Sequence, residues 1–112
     1  MITFTCCRDE NGRALGFECS GHSGYKSAGS DIVCSAVSVL TQTLVNTAEA
    51  QLQIVMDVTV DDAKGFLRAI LPKALDSKQE SGFKLLMAYL LTGVRSIADE
   101  YPKYVRYTES II

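Results

Sequence analysis

A chain of 112 residues with a formal charge of −2 and a pI near 5.3 is one domain's length, enough to bury a core without metal or disulfide staples. Apolar residues at 47% and charged residues at 21% are those of a soluble globular protein, and the scattered Lys73, Lys78, Lys84, Arg95, Lys103 and Arg106 make no basic patch for nucleic acid. The start, Met1 to Thr5, has no basic segment ahead of an apolar core, so no signal peptide is read. No apolar run approaches the roughly 20 residues that cross a bilayer, and the expected location is the cytoplasm.

In chain order, Ile2, Phe4 and Cys6 alternate with Thr3, Thr5 and Cys7, which is the period of a strand. Asn11-Gly12 supplies the positive φ angles of a tight hairpin turn, and the return strand runs from about Arg13 to Ser20 with Leu15, Phe17 and Cys19 on one face. A glycine-bearing loop, Gly21 to Ser30, follows and reads as mobile. Ser30 is then a natural N-cap, with Asp31 adding negative charge to the first turn of a helix. Val33, Val37, Leu40, Leu44 and Ala48 recur at helical spacing, and the helix is expected to end between Asn46 and Gln51.

A second strand pair is expected over roughly Gln53 to Val60 and Lys64 to Leu71, turning at Asp61-Asp62 and stopped by Pro72. Ser77-Lys78-Gln79-Glu80 matches a capping box. Behind it Phe83, Leu86, Met87, Leu90, Leu91, Val94 and Ile97 form a wide apolar stripe that must face a core or a partner. That helix ends before Pro102, and Tyr104 to Glu109 makes a last short strand. The order ββαββαβ points to a single α+β domain over residues 1–112, with two amphipathic helices packed on a mostly antiparallel sheet.

Four cysteines, Cys6, Cys7, Cys19 and Cys34, sit in a chain read as cytoplasmic, where stable disulfides are rare. No Cys-x-x-Cys pair exists, and the single histidine cannot complete the common zinc sets alone, so no metal or cofactor is expected. Cys6, Cys7 and Cys19 lie in expected strands and are read as small buried hydrophobes.

Cys34 is different. It falls in the first turn of the first helix, where the positive end of the helix dipole favours a thiolate. Twelve positions earlier stands His22, the chain's one imidazole, on a loop that must return to the helix start. Each has a plainer explanation by itself: Cys34 has the apolar neighbours Val33 and Val37 of a core thiol, and a loop histidine is commonly just a surface residue. Together they make a candidate dyad in which His22 takes the thiol proton and later protonates a leaving amine. Backbone N–H groups at the helix start, including that of Cys34, are candidate oxyanion donors. Asp31 either orients His22 or only starts the helix, and Ser38, one turn past Cys34, is a candidate hydrogen-bond donor near the sulfur.

Gly21-His22 at a strand end, then Gly29, Asp31-Ile32-Val33-Cys34 and Ala36-Val37-Ser38, resemble the two-part motif of the ribosomal-processing cysteine protease family, known as Prp. The size, the hairpin before the motif and the capped second helix extend that resemblance over nearly the whole chain. One departure is Ser23, where family members commonly carry alanine. The resemblance implies an endopeptidase that removes a short N-terminal extension from a large-subunit ribosomal protein, number twenty-seven in that series. It implies His22 as general base, Cys34 as nucleophile, Asp31 and Ser38 as supporting residues, and a homodimer. It also implies a substrate-admitting loop, which fits the glycines Gly21, Gly24 and Gly29 around His22. The competing readings are a non-catalytic dimeric binding module for a basic ribosomal or assembly protein, and thiol redox chemistry, which needs a cysteine placed beside Cys34.

Overall fold

The computed structural model describes residues 1–26 and 31–112. Along the chain run β1 (Ile2–Arg8), β2 (Ala14–Ser20), α1 (Ile32–Leu52), β3 (Asp57–Asp61), a 3-10 turn (Asp62–Lys64), β4 (Phe66–Ile70), α2 (Ser77–Glu100) and β5 (Val105–Ile111). This is the expected ββαββαβ order. Among the described residues the strands form one sheet in the order β3-β4-β2-β1-β5. Three of its ladders are antiparallel, and the fourth pairs β5 parallel to β1, Ile2 opposite Val105 through Arg8 opposite Ile111. No helix among the described residues is long and apolar enough to cross a membrane.

Strand alternation decides which face carries the core. Ile2, Phe4, Cys6, Phe17, Cys19 and Ala69 point at the helices and are buried, together with Val33, Val37, Leu44 and Ala48 of α1 and Phe83, Met87, Leu90, Leu91 and Val94 of α2. Phe4 stacks between Phe17 and Tyr107, with ring centroids 5.7 and 5.8 Å away, a spacing at which offset aromatic pairs gain more than area burial alone. Two glycines on α2 let α1 approach closely. A β-carbon at Gly82 would lie 2.5 Å from Leu52, and one at Gly93 would lie 2.9 Å from Leu40.

Several expected boundaries shift for identifiable reasons. Only Gly12 takes positive φ at the first hairpin, +84°, and its N–H donates to the Asp9 carbonyl at 3.0 Å. An irregularity in the β1–β2 ladder skips Leu15, so Ala14 packs against the core instead. The first helix runs on to Leu52, because Gln53 adopts left-handed φ and donates its N–H to the carbonyls of Ala48 and Glu49. The third strand accordingly begins at Asp57, not at Gln53.

The helix caps also move. Asp31, not Ser30, caps α1: its carboxylate accepts the Cys34 N–H at 2.9 Å. Ser30 itself lies outside the described residues, as does Gly29. The capping box of α2 is Asp76 with Gln79, one residue earlier than Ser77 with Glu80. Asp76 accepts from the Gln79 N–H at 2.8 Å, and the Gln79 side chain accepts from the Asp76 N–H at 3.1 Å. Glu80, released from capping, pairs with Arg13 of the first hairpin.

Candidate active site

Cys34 is the third residue of α1 and half-buried, close to the partial positive charge of the helix start. The chain that leaves β2 turns back over that helix end. Gly21 turns it with φ +88°, in a spot where a β-carbon would meet the Met1 carbonyl oxygen at 2.3 Å, and donates its N–H to the Lys64 carbonyl at 3.2 Å. His22 follows with its side chain exposed, and then Ser23 is buried at 3% exposure. The Ser23 backbone N–H donates to Cys34 Sγ at 3.4 Å, so the residue next to the imidazole touches the sulfur directly.

A hydrogen-bonded clip fixes this arrangement. The Ser23 hydroxyl donates to Asp31 Oδ2 and accepts the Tyr25 N–H at 3.1 Å, while Asp31 Oδ1 holds the Cys34 N–H. Burial would raise the Asp31 carboxyl, but bonds from the Ser23 hydroxyl, the Cys34 amide and thiol and the Lys26 amide outweigh it and hold the group below its ordinary value. Tyr25 then packs edge-on against Tyr101 and Tyr104, centroids 5.6 and 5.2 Å away, which ties the segment to the end of α2. Gly24 has φ +72° with open space around it.

This geometry corrects one expectation. The Cys34 N–H is engaged by Asp31, so it is not a free oxyanion donor; the amide directed at the sulfur is that of Ser23. Asp31 bonds the Ser23 hydroxyl and the Cys34 N–H, which is the work of a helix-starting residue.

Cys34, His22 and Ser38 all line one cleft of about 450 Å³ between α1 and the β3–β4 edge of the sheet. Two of its other walls are not evident in the motif. Along α1, Gln42 and Asn46 continue the line from Cys34 and Ser38 at intervals of four, one polar strip down a helix face. Opposite stand Val58 and Val60 of β3, on the helix-facing side of the sheet but beyond the helices' cover, 42% and 57% exposed. The four-residue ladder was present in the sequence as a signal; the pairing that brings β3 opposite it was not.

The other thiols are unlike Cys34. Cys19 lines the same cleft but is buried, and its thiol is pushed up to about 12 by that burial and by neighbouring Glu18. Burial also raises Cys6 and Cys7, with Arg8 and Arg68 respectively pulling the other way. A thiol that stays protonated is a slow partner for disulfide exchange. Among the described residues no three side chains of metal-binding type cluster.

Comparisons with known proteins bear on the family and the fold. The model of the family described as cysteine protease Prp matches residues 1–106. The ribosomal processing cysteine protease Prp of Bacillus subtilis (strain 168) is 27% identical over 114 residues, covering all of both chains. The crystal structure of the ribosomal processing protease Prp from S. aureus, with a covalently linked product peptide, superposes at a TM-score of 0.86. It covers 98% of this chain and 100% of its own at 22% identity, and so speaks for the fold. A Streptococcus mutans protein gives 0.82 at 29% identity, over 100% of this chain and 96% of its own.

Proposed function

This chain belongs to the cysteine protease Prp family, and from that premise we propose that it is the endopeptidase that removes the N-terminal extension of a large-subunit ribosomal protein, number twenty-seven, using Cys34 and His22. The observation that carries the reading is the contact between the His22 segment and the nucleophile: Ser23 N–H on Cys34 Sγ, with both functional side chains lining one cleft. The curated Bacillus subtilis relative is a ribosomal processing protease, and a peptide product is covalently bound in the S. aureus relative.

His22 takes the proton of Cys34, whose sulfur lies at the start of α1 and receives the Ser23 N–H. The sulfur attacks the scissile carbonyl carbon, and the electron pair moves onto the oxygen. The Ser23 N–H, already directed at the sulfur, is the amide that receives that negative charge in this reading. Collapse breaks the C–N bond, His22 delivers its proton to the departing amine, and the acyl group stays on Cys34 as a thioester. Water, activated by the same imidazole, then releases the acid. The peptide lies extended in the cleft, its backbone along the polar strip of Ser38, Gln42 and Asn46 and its apolar side chains against Val58 and Val60. Reaction takes place in the cytoplasm, in a homodimer, on a protein precursor and without cofactor, nucleic acid or membrane.

The test is the precursor itself. Incubation with the host's extended ribosomal protein is expected to yield one new N-terminus, at the extension junction, as read by terminal sequencing. A precursor left intact by the parent protein contradicts the assignment.

A further inference from the structure

A constraint on the His22 segment comes from a part of the chain far from the motif. Gly65 ends the 3-10 turn between β3 and β4 with φ +59°, and its N–H donates to the Asp62 carbonyl at 3.1 Å. A β-carbon built there would lie 2.4 Å from the Gly21 carbonyl oxygen, 3.0 Å from the Gly21 carbonyl carbon and 2.9 Å from His22 Cε1. Two of those three atoms are backbone, so no side-chain rotation relieves the contact; the segment bearing the imidazole must move. On the same turn, the Lys64 carbonyl accepts the Gly21 N–H at 3.2 Å. The turn thus both holds the chain just before His22 and offers the imidazole a flat surface that only hydrogen atoms cover.

We propose that Gly65 is a positioning residue for His22, a backbone shelf that sets the imidazole's place in the cleft. The inference rests on the reading of His22 as the base. It adds that this base is aimed by the β3–β4 connection, the same hairpin whose Val58 and Val60 wall the cleft. Gly12 provides the control. It also has positive φ, +84°, but a β-carbon there meets nothing within 4 Å. Gly12→Ala therefore carries the backbone strain without the collision.

The experiment measures the rate at which iodoacetamide alkylates Cys34 at neutral pH, and kcat on a peptide spanning the extension junction, in the parent, Gly65→Ala, Gly12→Ala, His22→Ala and the Gly65→Ala, His22→Ala double variant. Gly65→Ala is expected to lose at least about 10-fold in kcat, since displacing a catalytic group by about 1 Å can cost up to about 100-fold, while Gly12→Ala keeps the parental value. In the double variant the alkylation rate is expected to equal that of His22→Ala alone, because the shelf acts only through the imidazole. Gly65→Ala matching Gly12→Ala, or losses that multiply in the double variant, overturns the inference while leaving the dyad intact. Parental activity in His22→Ala overturns the dyad and the inference with it. If Gly65→Ala does not fold, the parent supplies the answer by NMR: a nuclear Overhauser contact between His22 Hε1 and the Gly65 α-protons is expected, and its absence overturns the shelf.

Discussion

Replacing Asp31 separates its work in the fold from any work in catalysis. Asp31→Ala removes an N-cap, worth about 1 kcal/mol. It also leaves the Ser23 hydroxyl, at 3% exposure, without its acceptor, at a further cost of roughly 1–2 kcal/mol. The total of about 2–3 kcal/mol corresponds to a fall in Tm of about 10 °C for a domain of this length. Asp31→Asn keeps a capping oxygen for the Cys34 N–H and offers an amide to the Ser23 oxygen, so its cost is expected to stay below about 1 kcal/mol. Ser23→Ala leaves Asp31 its bond to the Cys34 amide and is expected to cost about 1 kcal/mol. Acid adds an independent reading. The Asp31 carboxyl is held below its ordinary value in the folded chain, so its stabilising contribution is complete above about pH 4, where the unfolded carboxyl ionises, and is lost as pH falls through the lower folded value. The stability gap between parent and Asp31→Asn should therefore be flat at neutral pH and narrow below about pH 4. Urea unfolding followed by circular dichroism at a series of pH values measures all of this. Asp31→Ala within about 0.5 kcal/mol of the parent, or Asn costing as much as Ala, refutes the clip.

Three further outcomes are expected. Limited alkylation of the native protein at neutral pH should label Cys34 and spare Cys6, Cys7 and Cys19, which burial keeps protonated; peptide mapping shows which thiol carries the label, and preferential labelling of Cys19 would contradict the placement of the two in the cleft. Val60→Asp should raise KM for the junction peptide about 10-fold, while its Tm changes little because the side chain is 57% exposed. Asp76→Ala, which removes the carboxylate half of the α2 capping box and leaves the Asp76 N–H bonded to Gln79, should lower stability by about 1 kcal/mol and leave kcat unchanged, since it lies outside the cleft.

The sequence carried most of the local architecture because local rules decide it. The alternation in Ile2, Phe4 and Cys6, the Gly12 turn and the two helical stripes all became the elements they announced. Cys34 in the first turn of α1 was equally legible, since the capping residue lies only three positions away. The cap was misplaced because Ser30 and Asp31 are both good N-caps, as are Ser77 and Asp76, and only the hydrogen bonds to Cys34 and Gln79 decide between neighbours. What depends on distant pairing was not legible. Nothing near Tyr104 announces that β5 will lie parallel to β1, and nothing near Val58 or Gly65 announces a place beside His22. The cleft's second wall and the shelf under the imidazole both arise from β4 pairing with β2, a contact between residues about fifty positions apart such as Phe17 and Ala69.

The thioester on Cys34 is the account's central claim, and intact-mass spectrometry of an acid-quenched reaction with the junction peptide tests it most directly. The parent is predicted to carry an adduct equal to the acyl fragment on the amino-terminal side of the cut, mapped to Cys34 and absent from Cys34→Ala, which should not cleave. Cleavage by Cys34→Ala at the parental rate, or an adduct on any other residue, would contradict it.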